Sequence, residues 1–202
     1  MAKRLKAAER RASILAVAKV LFADKGFHGV SVDDIARRLG VSPAILYQHF
    51  PSKESLYEAV LSDIACTREN YVDAIVRGPT DFPGVLAGMT QVFVRSIARD
   101  PDYLRMEMLA ALDNNPAAKQ FFDHRWKSFT DFIEFSLDEL AREQRVAQVN
   151  AKTASLMFQG MIREALYAKC IYNAEHYREF ELPTLIERLI NLFLRALGYQ
   201  RE

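Results

Sequence analysis

Two cysteines in 202 residues cannot build a disulfide framework. Cys66 and Cys170 each sit in an apolar helical context, so both are expected as buried free thiols, in keeping with a reducing cytoplasm. No apolar run approaches the roughly 20 residues that cross a bilayer. The basic N-terminus is not followed by the apolar core of a signal peptide, so neither a leader nor a membrane partner is expected. Glycine is scarce, at 8 residues, and none forms a phosphate-cradling loop. The four histidines, His28, His49, His124 and His176, are scattered, with no cluster at zinc spacing. A nucleophile elbow and a pair of catalytic carboxylates are also missing. No enzyme, metal or cofactor is expected from such a chain. Nor does any alternating run argue for a strand.

What is present is apolar residue at helical spacing and an uneven charge. Half of the residues are hydrophobic and 26% are charged, which excludes a disordered chain. The net charge of +1 hides a gradient. Residues 1–53 carry ten Lys/Arg against four Asp/Glu, a net +6, and the remainder seventeen against twenty-two, a net −5. A basic head on an acidic body places a polyanion-binding surface at the N-terminal end.

Taken in order, the chain predicts an all-α protein of nine or ten helices without internal repeats. The first helix spans about Leu5 to Asp24, built on Ile14, Leu15, Ala18, Leu21 and Phe22 and stopped at Gly26. Ser31 or Val32 opens the second, with Asp33 and Asp34 near its positive end. A long helix from Lys53 to about Val76 ends at Arg77-Gly78-Pro79. Further helices cover Val85–Ala98, a short stretch around Leu104 to Leu112, Pro116 to about Arg145, Ala151–Tyr172, and Leu182 to near Gly198. Residues 1–52 form the expected basic head domain, and residues 53–202 a larger helical body.

The stretch Gly26 to Lys53 has the layout of a helix-turn-helix. Ile35, Ala36 and Leu39 give one helix an apolar side, Gly40 suits a sharp bend, and Ser42-Pro43 suits the start of a second helix. Leu46 and Phe50 turn inward with Val41. The outer side then carries Ala44, Ile45, Gln48 and His49, with Tyr47 at the border. A side so poor in charge is unusual for plain solvent exposure and suits a major groove. Gln48 matches the adenine edge, Ala44 or Ile45 a thymine methyl, and Pro43 lies close to the bases. Arg37, Arg38 and Lys53 flank them as candidate phosphate contacts, and Ser31 and Ser42 at the two helix starts complete the DNA-facing set.

From about Ile14 to Val60 the chain resembles the TetR family of bacterial transcriptional regulators. The resemblance rests on Ile14, Ala18, Leu21, Phe22, Gly26, Phe27, Val32, Ile35, Ala36, Gly40, Val41, Ser42, Leu46, Tyr47, His49, Phe50, Lys53, Leu56 and Val60, above all on the run LYQHFPSKESL. It implies a three-helix DNA-binding domain joined to a helical ligand-binding and dimerisation domain. It also implies backbone contacts to double-stranded operator DNA from Tyr47, His49 and Lys53. In such proteins an effector lies between the helices of the body. Here Met89, Phe93, Met106, Met108, Trp126, Phe129, Phe132, Phe158 and Met161 are the apolar candidates, although residues at such spacing also make an ordinary core. A homodimer is expected through the last two helices, from the small Gly160 and Ala165 and from Leu185, Leu189, Leu192, Phe193 and Leu197, which spread over more than one side of the final helix.

The expected function is a homodimeric repressor released from a pseudo-palindromic operator by an apolar or amphipathic small-molecule effector. The helix from Ser52 to Val76 would carry the signal between head and body. Three other readings fit the same residues: an activator, a DNA-binding factor that answers to no ligand, and a helical small-molecule-binding protein or enzyme with a degenerate DNA head.

Overall fold

The structure is a computed structural model that describes residues 7–66, 81–113 and 115–200. Among the described residues there are nine α-helices and no strand. They are α1 (Ala7–Lys25), α2 (Val32–Leu39), α3 (Pro43–His49), α4 (Lys53–Cys66), α5 (Phe82–Arg99), α6 (Asp102–Leu112), α7 (Pro116–Arg142), α8 (Ala151–Leu166) and α9 (Leu182–Ala196). A π-helical turn, Tyr167–Ile171, prolongs α8, and a 3-10 turn follows at Glu175–Tyr177. The long helix expected to reach Val76 is described only to Cys66; its remainder, with the break at Arg77-Gly78-Pro79, lies outside the described residues.

The contacts divide the chain into two compact units: Met1–Arg68 with Asp102–Phe122, and Glu69–Pro101 with Asp123–Glu202. In the first, α1 packs on α2, α4 and α6. Ile14, Ala18, Phe22, Ile35, Leu46, Leu56, Tyr57 and Leu104 are buried there. Each large apolar side chain so buried contributes about 1.5–3 kcal/mol before entropy is counted. Tyr57 sits edge-on to Phe22 at 4.9 Å and to Phe27 at 5.1 Å. Burial, with the Asp113 carboxylate adding to it, pushes the Tyr57 phenol up to about 12.

Helix ends follow from local chemistry. Ser31 caps α2 in a full capping box with Asp34. Gly40 ends that helix in the left-handed conformation, φ 69°, while the Val41 N–H closes onto the Ala36 carbonyl at 3.0 Å. Ser52 and Ser55 make a second reciprocal cap at the start of α4. Each backbone N–H donates to the other's hydroxyl at 3.1 Å, so serine fills the place usually taken by Glu.

In the second unit α9 packs on α8 and α5. A chain of rings runs through its core. Phe93 lies 4.8 Å from Trp126 and 5.8 Å from Phe129, Phe129 lies 6.2 Å from Phe158, and Phe158 lies 5.1 Å from Phe193. All five are buried. The Ser155 hydroxyl on α8 donates to the Glu134 carboxylate on α7 at 3.1 Å, giving a buried polar group its partner. Cys170, expected to be buried, is half-exposed, on the π-helical turn. The Cys66 side chain is not among the described ones.

Candidate nucleic-acid interface and effector cavities

The outer side of α3 is built from below. Leu46 and Phe50 anchor the helix in the core, and the Arg11 guanidinium lies 4.9 Å over the Phe50 ring. Ala44, Tyr47 and Gln48 are exposed, Tyr47 at 53%, while Pro43, Ile45 and His49 are half-buried. The sequence placed these six on one short helix, and the structure leaves Ala44, Tyr47 and Gln48 accessible on it, with the other three partly covered.

The two serines of the set differ. Ser31 Oγ accepts from the Asp34 N–H at 3.1 Å and donates to Asp34 Oδ2 at 2.6 Å, so it is occupied in the cap. Those bonds from Ser31, with the Arg37 guanidinium, hold the Asp34 carboxyl below its usual range. Ser42 makes no capping bond to α3, and its side chain is exposed. Arg37 is exposed and bridges Asp34 at 3.0 Å, a surface pair worth at most about 1 kcal/mol. Exchanging that carboxylate for a phosphate therefore costs little.

Lys53 holds a place the sequence did not reveal. Its Nζ donates to the Phe27 and Val30 carbonyls at 3.0 Å each and stands 4.2 Å over the Phe27 ring. From the other side, Asp113 Oδ2 accepts the Phe27 N–H at 3.0 Å. The turn between α1 and α2 is thus clamped by α4 and by the end of α6. Lys53→Met is expected to lower the stability of this unit by about 1.5–3 kcal/mol, through the loss of charge-assisted bonds to two carbonyls. Denaturant melts of the two proteins check this, and an unchanged midpoint would leave Lys53 with no role in the clamp.

The expected effector residues fall differently. Met89, Phe93, Trp126, Phe129 and Phe158 are buried in the second unit's core, whereas Phe132 and Met161 are half-buried. Met106, buried, and Met108, half-buried, belong to α6 of the first unit. A cavity of about 670 Å³ lies between α5 and α9, lined by Ala87, Gln91, Val94, Arg95, Ile190, Asn191 and their neighbours, and none of the nine expected residues lines it. A second, of about 280 Å³, lies between α7 and α8, and of the nine it has Trp126 alone. Phe93, Trp126, Phe129 and Phe158 are instead packed ring against ring. Helical spacing marks the inward side of a helix but cannot separate a filled interior from a hollow one.

On α8 and α9 the expected dimer residues divide into two groups. Leu192 is 56% exposed, Gly160 is exposed, and Leu185 and Leu189 are half-buried. Phe193 and Leu197 are 0% and 1% exposed and Ala165 is buried as well, so these three belong to the core of their own chain. Leu156 and Met157, not singled out from the sequence, add exposed apolar surface to α8.

Comparison with known proteins bears on this arrangement. The profile of bacterial regulatory proteins of the tetR family matches residues 14–60, which hold α2, α3 and the clamped turn. Residues 14–60 carry the tetR-family pattern. Among TetR-family relatives, the HTH-type transcriptional activator FasR of Mycolicibacterium smegmatis is 33% identical over 150 residues, 74% of this chain and 56% of its own length. The chain thus spans about half of that relative. The negative regulator IcaR of the icaADBC biofilm operon in Staphylococcus aureus is 24% identical over 87% of this chain and 94% of its own. The structure of the regulator FadR from Bacillus subtilis in complex with stearoyl-CoA superposes with a TM-score of 0.70 at 18% identity, over 94% of this chain and 99% of that one. At that identity the likeness concerns the fold.

Among the described residues, no group of His, Cys, Asp and Glu is arranged to hold a metal ion, and no helix is long and apolar enough to cross a membrane.

Proposed function

We propose that this chain is a homodimeric, cytoplasmic transcriptional regulator that binds a pseudo-palindromic operator and is released from it by an apolar or amphipathic effector. Residues 1–52 read DNA, and residues 53–202 serve dimerisation and effector binding. The observation that carries the reading is the outer side of α3, where exposed Ala44, Tyr47 and Gln48 stand on a helix fixed by a left-handed Gly40 turn. Ser42, Pro43, Ile45 and His49 surround them, and Ser31, Arg37 and Lys53 lie nearby as backbone contacts or their supports. The exposed apolar side chains of α8 and α9 suit a two-fold contact with a second copy. Repression is the direction we propose, as in IcaR, although FasR is an activator. That FadR was crystallised with stearoyl-CoA supports an amphipathic effector. No catalytic role is proposed.

The test uses paired substitutions and a set of duplexes that differ in single base pairs. Tyr47→Ala is expected to weaken binding to every duplex alike, since a phosphate contact carries no sequence. Gln48→Ala is expected to change the preference at one position by about 1–3 kcal/mol. Equal losses on all duplexes for Gln48→Ala would remove it from base reading.

A further inference from the structure

Arg11 belongs to α1, outside the helix-turn-helix, yet its guanidinium carbon lies 4.9 Å from the centroid of the Phe50 ring. Phe50 ends α3: its N–H donates to the Leu46 carbonyl at 2.9 Å, and its side chain is buried. Tyr47 and His49, the candidate backbone contacts of α3, lie within one turn of it, about 5 Å or less along the helix axis. Arg11 thus brings a positive charge from α1 to the end of the helix proposed to read DNA. The side chain is exposed, and no carboxylate or carbonyl among the described residues bonds to it. A ring face attracts the charge but supplies no acceptor oxygen, so the N–H groups of Arg11 are left to water or to a phosphate. The other cations of the head differ. Arg37 bridges Asp34 at 3.0 Å, and Lys53 gives its ammonium to the Phe27 and Val30 carbonyls at 3.0 Å each. Arg38 is exposed, but it stands on α2 and not against the end of α3.

We propose that Arg11 is a DNA-backbone contact, through which α1 grips a phosphate beside the end of α3. The proposal rests on the reading of α3 as the recognition helix and adds to it a contact from a different helix. A guanidinium suits the task, because its planar fork of donors matches two phosphate oxygens at once. Binding also breaks no ion pair at Arg11, whereas Arg37 must first leave Asp34. A phosphate contact carries no sequence information, so Arg11 contributes affinity and fixes how α3 sits, while α3 alone reads bases. No spacing rule links α1 to Phe50, which is why Arg11 is absent from the DNA-facing set that the sequence suggests.

The test measures binding of the full-length protein to two duplexes of equal length, one enriched by selection from a random pool and one unrelated, from about 50 to 200 mM salt. Arg11→Gln is expected to weaken both duplexes by at least about tenfold, the worth of one charge-assisted hydrogen bond. It is also expected to reduce the slope of log affinity against log salt by about 0.9 for each docked head. Arg11→Lys keeps the charge and loses the fork, so its slope should match the wild type while its affinity lies between the other two. A side chain that served the fold alone would lower affinity without moving the slope. Lys127→Gln is the control for net charge, since it removes one positive charge from an exposed pair of the second unit, and it should change neither quantity. An unchanged slope in Arg11→Gln, a loss confined to one duplex, or an equal loss in Lys127→Gln would overturn the contact. A wild type that binds both duplexes equally would remove the reading of α3, yet the slope on the unrelated duplex would still report on Arg11. Wild-type protein that binds neither duplex would overturn both.

Discussion

Leu192→Asp is expected to give a folded monomer, and Phe193→Asp a chain whose C-terminal unit does not hold together. The two positions are adjacent on α9, yet Leu192 is 56% exposed and Phe193 is 0% exposed with its ring 5.1 Å from Phe158. A carboxylate at Leu192 stays in water within the single chain, where surface changes are typically within about 0.5 kcal/mol of neutral. In a two-fold contact the same charge enters twice, into an apolar interface and without a partner. At Phe193 the substitution removes a buried ring, worth about 3–5 kcal/mol, and leaves an uncompensated charge costing several more. That is comparable with the whole stability of a domain, about 5–15 kcal/mol. Circular-dichroism melts should separate the two proteins, and sedimentation should show a monomer for Leu192→Asp. Operator affinity of that monomer should fall by about 10²–10⁴, because the second half-site is no longer delivered by the first. A dimer that survives both Leu192→Asp and Leu156→Asp would place the interface elsewhere.

The second large effect is expected at a glycine on the surface. Gly29 is exposed, but a Cβ there would lie 2.2 Å from the Lys25 carbonyl oxygen and 3.1 Å from its carbon. That oxygen is backbone at the end of α1 and cannot rotate aside. Moving it disturbs the turn whose Phe27 and Val30 carbonyls take the Lys53 ammonium and whose Phe27 N–H meets Asp113. Gly29→Ala is expected to cost about 3 kcal/mol, the upper end of overpacking penalties, and to carry DNA binding down with it. Gly40 is the control. It holds φ 69° with nothing within 4 Å of its Cβ direction, so Gly40→Ala carries the left-handed strain alone, about 1–2 kcal/mol. Urea midpoints in the reverse order would show that the clamped turn is less rigid than its contacts imply.

These two glycines also mark what the sequence makes legible. Gly40 was readable because its job is local: it ends α2, and Ser42-Pro43 begins α3 within a few residues. The clamp was not, because Lys53 reaches back 26 residues to Phe27 and Asp113 lies 86 residues from it. Spacing also recovered the described helices of both units and many of their inward residues, although Leu112 of α6 is 80% exposed. It cannot say which of two apolar sides of α9 meets its own core, because Phe193 and Leu197, which do, have the same spacing signal as the exposed Leu192. The same limit applies to the effector residues, since Phe93, Phe129 and Phe158 have the spacing of a pocket lining and are packed ring against ring. The residues of α6, with Asp113 just past its end, join the unit that contains α1 to α4, a grouping that no local pattern encodes.

Selection of bound duplexes from a random pool tests the central claim most directly. The full-length protein is mixed with the pool at physiological salt, and the retained DNA is sequenced. Two heads related by a two-fold axis predict an enriched pseudo-palindrome, with half-site centres about 10–10.5 base pairs apart or a multiple of that. Affinity for the enriched site should fall with salt at a slope of about −0.9 per phosphate neutralised, and exceed that for unrelated DNA by about 10³ or more. A pool that shows no enriched sequence, or binding equal on every duplex, would contradict the reading of α3 as a recognition helix.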